Sequence, residues 1–347
     1  MQTSITSSRS YANTAFLQTQ VDFSLTQQLM LIGGLDFYYQ HVNSHDRSPF
    51  HIDKNFDLGR PEYHANVQVR WRPIPRFSLA AVVREEVYKD DMVAPIPALF
   101  ADFTLWRPWN LVLKTSVARN YRYPSMDDLY FQPGGNPDLK PEQGFTYDVG
   151  LEVARQQRTW TIKANLTAFD SHISDWILWT PNTKGFWEPS NVKKVHNYGL
   201  EASLQTSLLL GQDWKVSVSG NFAWTPSKNI GEDINSNDAS YGKQLCYVPK
   251  VSANLNARLQ WRTWTLLCQW NHYSERYTTT SNEVNYITGR LKPYYMTDLS
   301  LEKTFRLGRV DASLKALVNN LFSTEYVTVL SRPMPRRNYE IYFTVKI

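Results

Sequence analysis

The sequence predicts an all-β chain: a transmembrane antiparallel β-barrel in which roughly fifteen strands of the ten-residue class can be drawn. Three observations predict it. Apolar and polar residues alternate over long stretches. The connections between those stretches alternate between short and long. Aromatic residues make up 14% of the 347 residues, with 12 Trp and 20 Tyr, more than a soluble β-domain needs.

The alternation is plainest at 251–261. Val251, Ala253, Leu255, Ala257, Leu259 and Trp261 take the odd positions; Ser252, Asn254, Asn256, Arg258 and Gln260 take the even ones. Successive strand side chains point to opposite faces, so this segment has one greasy face and one wet face. The same reading places strands near 14–25, 29–41, 61–72, 76–88, 97–107, 110–120, 144–155, 158–170, 196–207, 213–225, 248–261, 263–275, 293–305, 309–320 and 337–347. In 145–153, Phe145, Tyr147, Val149, Leu151 and Val153 oppose Thr146, Asp148, Gly150 and Glu152. In 214–224, Trp214, Val216, Val218, Phe222 and Trp224 oppose Lys215, Ser217, Ser219 and Asn221. Charges such as Lys215, Asp148, Glu152 and Arg258 suit a hydrated lumen; in a sealed core each would need a partner.

The short connections are Thr26–Gln28, Pro73–Pro75, Pro108–Trp109, Gln156–Gln157, Leu208–Gln212, Arg262 and Arg306–Gly308. Long ones cover about 42–60, 89–96, 121–143, 171–195, 226–247, 276–292 and 321–336. Turns on one side and loops on the other are the layout of an outer-membrane barrel, and Trp71, Trp106, Trp214, Trp224 and Trp261 at strand ends suit its aromatic girdles.

Other classes fall away. No run approaches the ~20 apolar residues of a membrane helix. A net charge of +5 is spread through strands and loops, so no nucleic-acid stripe is read. Cys246 and Cys268 make neither a disulfide framework nor a metal site; Cys268 reads as a small wall residue beside Trp264, Leu266 and Trp270. His41, His45 and His51 share one loop and read as solvated. Asp233, Asn235 and Asn237 have the opening spacing of a calcium loop. Asp238 replaces the needed Gly and Gln244 the bidentate Glu, so a solvated loop is the preferred reading. No catalytic motif, cofactor site or metal site is expected.

Residues 121–142 read Tyr121-Arg-Tyr-Pro-Ser-Met-Asp-Asp-Leu-Tyr-Phe-Gln-Pro-Gly-Gly-Asn-Pro-Asp-Leu-Lys-Pro-Glu142. The box Asn136-Pro137-Asp138-Leu139-Lys140-Pro141-Glu142 resembles the N-P-x-L-K-P-E box of TonB-dependent outer-membrane receptors. Arg122, Pro124, Asp128, Leu129 and Tyr130 resemble the run that precedes it. Val318-Asn-Asn-Leu-Phe-Ser-Thr-Glu-Tyr326 resembles the family's N-L-F segment. Pro333, Pro335, Arg337 and Tyr339 resemble its lead-in to the last strand, which here ends on Ile347 rather than the usual aromatic. Each match also has a plain physical reading. The prolines hold preceding residues extended, Gly134-Gly135 permits positive φ, and Asn319 and Asn320 satisfy local backbone groups. The box is therefore expected to clamp a loop rather than touch cargo.

The resemblance implies a 22-stranded barrel plugged by an N-terminal domain. Residues 1–347 then read as the C-terminal part of that barrel, about fifteen strands without the plug, and the start MQTSITSSRS carries no signal peptide. It implies uptake of a metal chelate such as cobalamin or a ferric siderophore, energised through TonB in a full-length protein. The expected partners are outer-membrane lipid, the cargo, TonB through an upstream region, the barrel assembly machinery and a surface lipoprotein. Tyr121, Tyr123, Tyr130 and Phe131 are the expected cargo contacts, with packing of their own loop as the competing role. A passive pore or surface-binding barrel is the alternative, and a soluble carbohydrate-active β-protein a more distant one.

Overall fold

A computed structural model describes residues 7–48, 51–88, 91–131, 134–181, 187–231, 239–284, 288–308 and 310–346. Fifteen long strands run through it: β1 (Ser7–Ser24), β2 (Leu29–Ser48), β3 (His51–Ile74), β4 (Phe77–Tyr88), β5 (Ile96–Trp106), β6 (Leu111–Arg122), β7 (Glu142–Gln156), β8 (Trp160–Pro181), β9 (Trp187–Leu210), β10 (Trp214–Trp224), β11 (Val251–Trp261), β12 (Trp264–Tyr273), β13 (Tyr294–Leu307), β14 (Val310–Asn319) and β15 (Asn338–Lys346). With the short strands Asp91–Met92 and Ser227–Asn229 they form a 17-stranded sheet. Among the described residues no helix is long and apolar enough to cross a membrane.

The chain divides into two compact units. The first holds Met1–Asp102, Thr115–Tyr147 and Ser171–Val195; the second holds Phe103–Lys114, Asp148–Asp170 and His196–Ile347. In the first, β1 to β4 pair antiparallel in sequence order, and Phe23, Leu31, Val69 and Ala81 lie in one cross-strand row. In the second, β9 to β15 form an antiparallel meander.

Register in the second unit shows what the alternation builds. Val216, Leu259, Leu266, Leu301, Ala316 and Ile341 face one another in a row across six strands. The neighbouring row of opposite phase is Lys215, Gln260, Thr265, Glu302, Lys315 and Tyr342. A one-residue slip would exchange these faces, so the pattern itself pins the register. The apolar face is uncovered: Leu255 is 43% exposed and Ile341 76%. A soluble core would bury such residues; a wall against lipid leaves them outward. On the wet face, Lys215, Ser217, Ser219, Asn256, Arg258 and Gln260 wall a cavity of about 480 Å³, the side expected for Lys215 and Arg258. Cys268 sits between Ala257 and Leu299 on the apolar face, as a wall residue should.

Tryptophans mark the turn ends. Trp214, Trp261 and Trp264 are register partners in turn, and the rings of Trp214 and Trp261 stack at 5.6 Å. Trp106, Trp109 and Trp160 continue such contacts at 6.1 and 6.0 Å. The tight turns bend through left-handed residues where needed: Gly211, Gly308 and Arg262 have φ of 67°, 64° and 52°.

Two expected loops are strand instead. Residues 42–48 and 51–60 extend the β2–β3 hairpin, and much of 171–195 extends β8 and β9. Beyond the lipid, neither face of a hairpin must be apolar, so alternation no longer reveals it. His41 is accordingly not loop but strand, paired with Asp57 at 2.6 Å. The side chain of His51 and the calcium-like residues Asp233, Asn235, Asn237 and Asp238 lie outside the described residues.

Near the C-terminus Asn320, 2% exposed, is a local clamp. Its backbone N–H donates to Asp298, its side-chain amide to the Thr324 carbonyl, and its Oδ1 accepts from the Thr324 N–H. Asn319 does something else: its amide donates to the side chains of Asn338 and Glu340 on β15.

Candidate functional site

The loop following β6 is built from its caps outward. Ser125 N-caps a five-residue helix, α1 (Met126–Tyr130), in a reciprocal capping box with Asp128. The Asn136 N–H then donates to the Asp128 carbonyl at 2.8 Å, folding the chain back over the helix. Gly135 permits this approach, because a Cβ there would strike the backbone of Leu129, Tyr130 and Phe131; Gly134 does the same against the Trp187 carbonyl. Leu139 packs with Leu129 and Ile177 in a small, fully buried apolar cluster.

The Asn136–Glu142 box is a clamp. Asn136 Oδ1 accepts from the Asp138 N–H at 3.0 Å. The Lys140 backbone exchanges two hydrogen bonds with the Asn191 amide, at 2.9 and 3.0 Å. Glu142 accepts a bidentate pair from Arg122 at 2.7 and 2.8 Å and the Ile177 N–H at 2.7 Å. Pro137 and Pro141 keep the segment between these anchors extended. Asp128 joins in, accepting from Trp179 Nε1 at 2.8 Å, with Arg122 at 3.6 Å. Burial alone would raise its carboxyl pKa, but hydrogen bonds from Ser125 and Trp179 outweigh that and hold it below the ordinary value.

Beside this clamp the chain reaches across to β3. A cavity of about 220 Å³ is lined by Arg60, Glu62, Tyr88, Tyr123, Met126, Leu129 and Tyr130, among others. Tyr123 is its centre. Its hydroxyl donates to Glu62 at 2.7 Å and therefore accepts from His64 Nε2 at 3.0 Å, which fixes that imidazole's tautomer. Glu62 is 6% exposed and also takes Arg60 at 2.8 Å, so its charge is compensated. Arg60 donates on to the Pro124 carbonyl at 2.7 Å and lies 5.0 Å over the Tyr123 ring; Tyr88 stacks on that ring at 5.2 Å. Burial first, then the bond to Glu62, pushes the Tyr123 phenol pKa far up, so it remains a donor. The site thus offers flat aromatic surface, a fixed cation and a buried carboxylate.

Of the four expected contacts, Tyr123 and Tyr130 line this cavity. Tyr121 touches Tyr123 edge-on at 6.3 Å without lining it, and Phe131, 44% exposed, turns toward Trp179 at 5.9 Å. Arg60, Glu62, His64 and Tyr88, which surround Tyr123, are not singled out by the sequence reading. The one signal that Arg60, Glu62 and His64 carry is polar character on one phase of β3, shared by every wet-face residue; Tyr88 ends β4.

A family model described as TonB dependent receptor-like, beta-barrel, matches residues 2–321. The vitamin B12 transporter BtuB of Photobacterium profundum is 27% identical over 248 residues, covering 69% of this chain and 36% of the transporter. The iron-regulated outer membrane virulence protein of Vibrio cholerae serotype O1 is 25% identical over 308 residues, covering 82% and 44%. Among solved structures, the copper transporter OprC superposes with a TM-score of 0.69 at 16% identity, over 96% of this chain and 56% of that one. The ferric citrate transporter FecA in unliganded form gives 0.68 at 14% identity, over 97% and 55%. At these identities the structures speak for the fold. The chain spans less than half the length of the two sequence relatives.

Proposed function

Because this chain belongs to the TonB-dependent receptor β-barrel family, we propose that it is the barrel portion of an active-transport receptor for a metal chelate of the cobalamin or ferric-siderophore class. It is an outer-membrane chain, and not an enzyme. On this reading residues 1–347 are barrel sequence throughout, and energy reaches them through TonB in the full-length receptor. The observation that carries the reading is the Tyr123 cavity. It lies on the long-loop side, where cargo arrives, and it couples aromatic surface to fixed polar groups. That combination suits an amphipathic chelate, which needs large flat contact with a few orienting hydrogen bonds. The Asn136–Glu142 box supports it indirectly: Tyr130 packs against the cluster that holds Leu139, and Glu142 anchors Arg122, the residue before Tyr123. Relatives named for vitamin B12 transport and for iron regulation favour the same cargo class.

The test is equilibrium binding of cyanocobalamin and of a ferric tris-catecholate to the full-length receptor. Tyr88→Ala with Tyr130→Ala is expected to weaken whichever chelate binds by about tenfold, since losing one aromatic contact costs on the order of 1 kcal/mol. Heat-modifiability and surface abundance should be unchanged. Unchanged affinity removes this cavity from the cargo site, and uptake that persists in a strain lacking TonB points to a passive pore.

A further inference from the structure

The loop end of the second unit gathers more cations than carboxylates. A cavity of about 410 Å³ lies by the short strand Arg290–Leu291 and the hairpin made by Val327–Val329 and Arg332–Pro333. Arg290, Lys292 and Arg336 wall it together with Tyr326, Leu330 and Met334. Two of these cations are matched: Arg290 meets Glu275 at 3.0 Å, and Arg336 meets Glu325. Among the described residues the third, Lys292, meets no carboxylate.

Arg276 stands behind the cavity and is 6% exposed. Its Nη2 donates to the carbonyl of Val327, a wall residue, at 2.9 Å, and its guanidinium lies 5.3 Å over the Tyr294 ring. Its Nε–H has no acceptor among the described residues. Burial depresses its pKa, and no carboxylate restores it. The local tally is four cations, Arg276 behind the wall and Arg290, Lys292 and Arg336 on it, against two carboxylates, Glu275 and Glu325. A buried guanidinium without a counter-charge is costly, and clustered cations repel one another. An anion relieves both.

We propose that this cavity is an anion subsite that takes a phosphate group carried on an apolar or aromatic body. A phosphate, with close to two charges, matches a surplus of two cations better than a single carboxylate does. Arginine forks and a lysine ammonium are the side chains that bind phosphate oxygens, and Tyr326, Leu330 and Met334 offer the body an apolar wall. The subsite does not depend on the cargo reading above. Its phosphate could be the headgroup of an outer-leaflet lipid or belong to a soluble ester.

The experiment titrates inorganic pyrophosphate into the full-length receptor in neutral detergent. Saturable, salt-sensitive binding is expected, weakened about tenfold or more in Lys292→Gln, because losing a charge-assisted bond costs that much. Lys292 is exposed, and retained heat-modifiability reports that the barrel is intact. Should Lys292→Gln disturb folding, Lys292→Met removes the same charge and gives the same comparison. Competition by phosphorylated lipid in nanodiscs assigns the phosphate to the membrane; competition only by soluble phosphate esters assigns it to a solute. Absence of saturable pyrophosphate binding, or equal affinity in an intact variant, overturns the proposal.

Discussion

At the scale of the residue, the loop carrying the family box depends on a few carboxylates whose hydrogen bonds can be counted. Asp128 is the most testable. Its folded-state pKa lies below the unfolded value because Ser125 and Trp179 donate to the ionised form. The carboxylate therefore contributes stability that is fully present above the unfolded pKa and is lost as pH falls through the folded one. Trp179 reports this directly, through the difference in emission between wild type and Trp179→Phe. That difference should stay constant down to the ordinary carboxylate range and change only below it. Asp128→Asn should abolish the acid transition and loosen the loop by about 1–3 kcal/mol; a transition unchanged in that variant would mean that another group carries it. This level is only partly legible in the sequence. Asn136, Pro137, Leu139, Lys140, Pro141 and Glu142 announce a clamp because prolines and a turn-forming Asn restrict the backbone locally. Arg60, Glu62 and His64 could not be read as Tyr123's partners, because they are some sixty residues away and nothing local encodes that approach.

At the scale of the element, each strand is a two-sided surface, and the two sides live in different solvents. All fifteen long strands fall where the alternation predicts them, and the turn–loop rhythm follows. What escaped was their length: β2, β3, β8 and β9 run on past the apolar band, where the pattern that marks a strand has no reason to persist. Adjacent residues on β11 put the two-solvent claim to a direct test. Leu255, 43% exposed, lies on the apolar face, and Asn256 lines the polar cavity. Leu255→Arg should destabilise the barrel in lipid by about 2–4 kcal/mol, less if the site lies near an interface, while Asn256→Arg should cost little. Urea-titrated folding of the full-length receptor into lipid vesicles measures both. Equal penalties would mean that both faces meet the same environment.

At the scale of the whole molecule, the sheet leaves a large surface uncovered. From Arg9 to Gln28 the residues are exposed on both faces of β1, including Phe16 at 65%, Leu17 at 66% and Phe23 at 56%. Much of β15 is exposed too, with Ile341 at 76% and Phe343 at 64%. Among the described residues, fully buried apolar packing is correspondingly small, and the Leu129, Leu139 and Ile177 cluster gathers around the loop after β6. A chain built this way is held by hydrogen-bonded ladders and by whatever covers its apolar face, not by a core of its own. Long exposed strands bearing aromatics are templates for pairing with other chains. Residues 1–347 expressed alone and refolded into detergent are therefore expected to give polydisperse, aggregating material without a heat-modifiable band. The full-length receptor refolded in parallel should give that band. Size-exclusion chromatography and unheated electrophoresis read both outcomes. If residues 1–347 alone gave a monodisperse, heat-modifiable barrel, β1 and β15 would have to find cover within the chain, and the exposure described for them would not persist in solution.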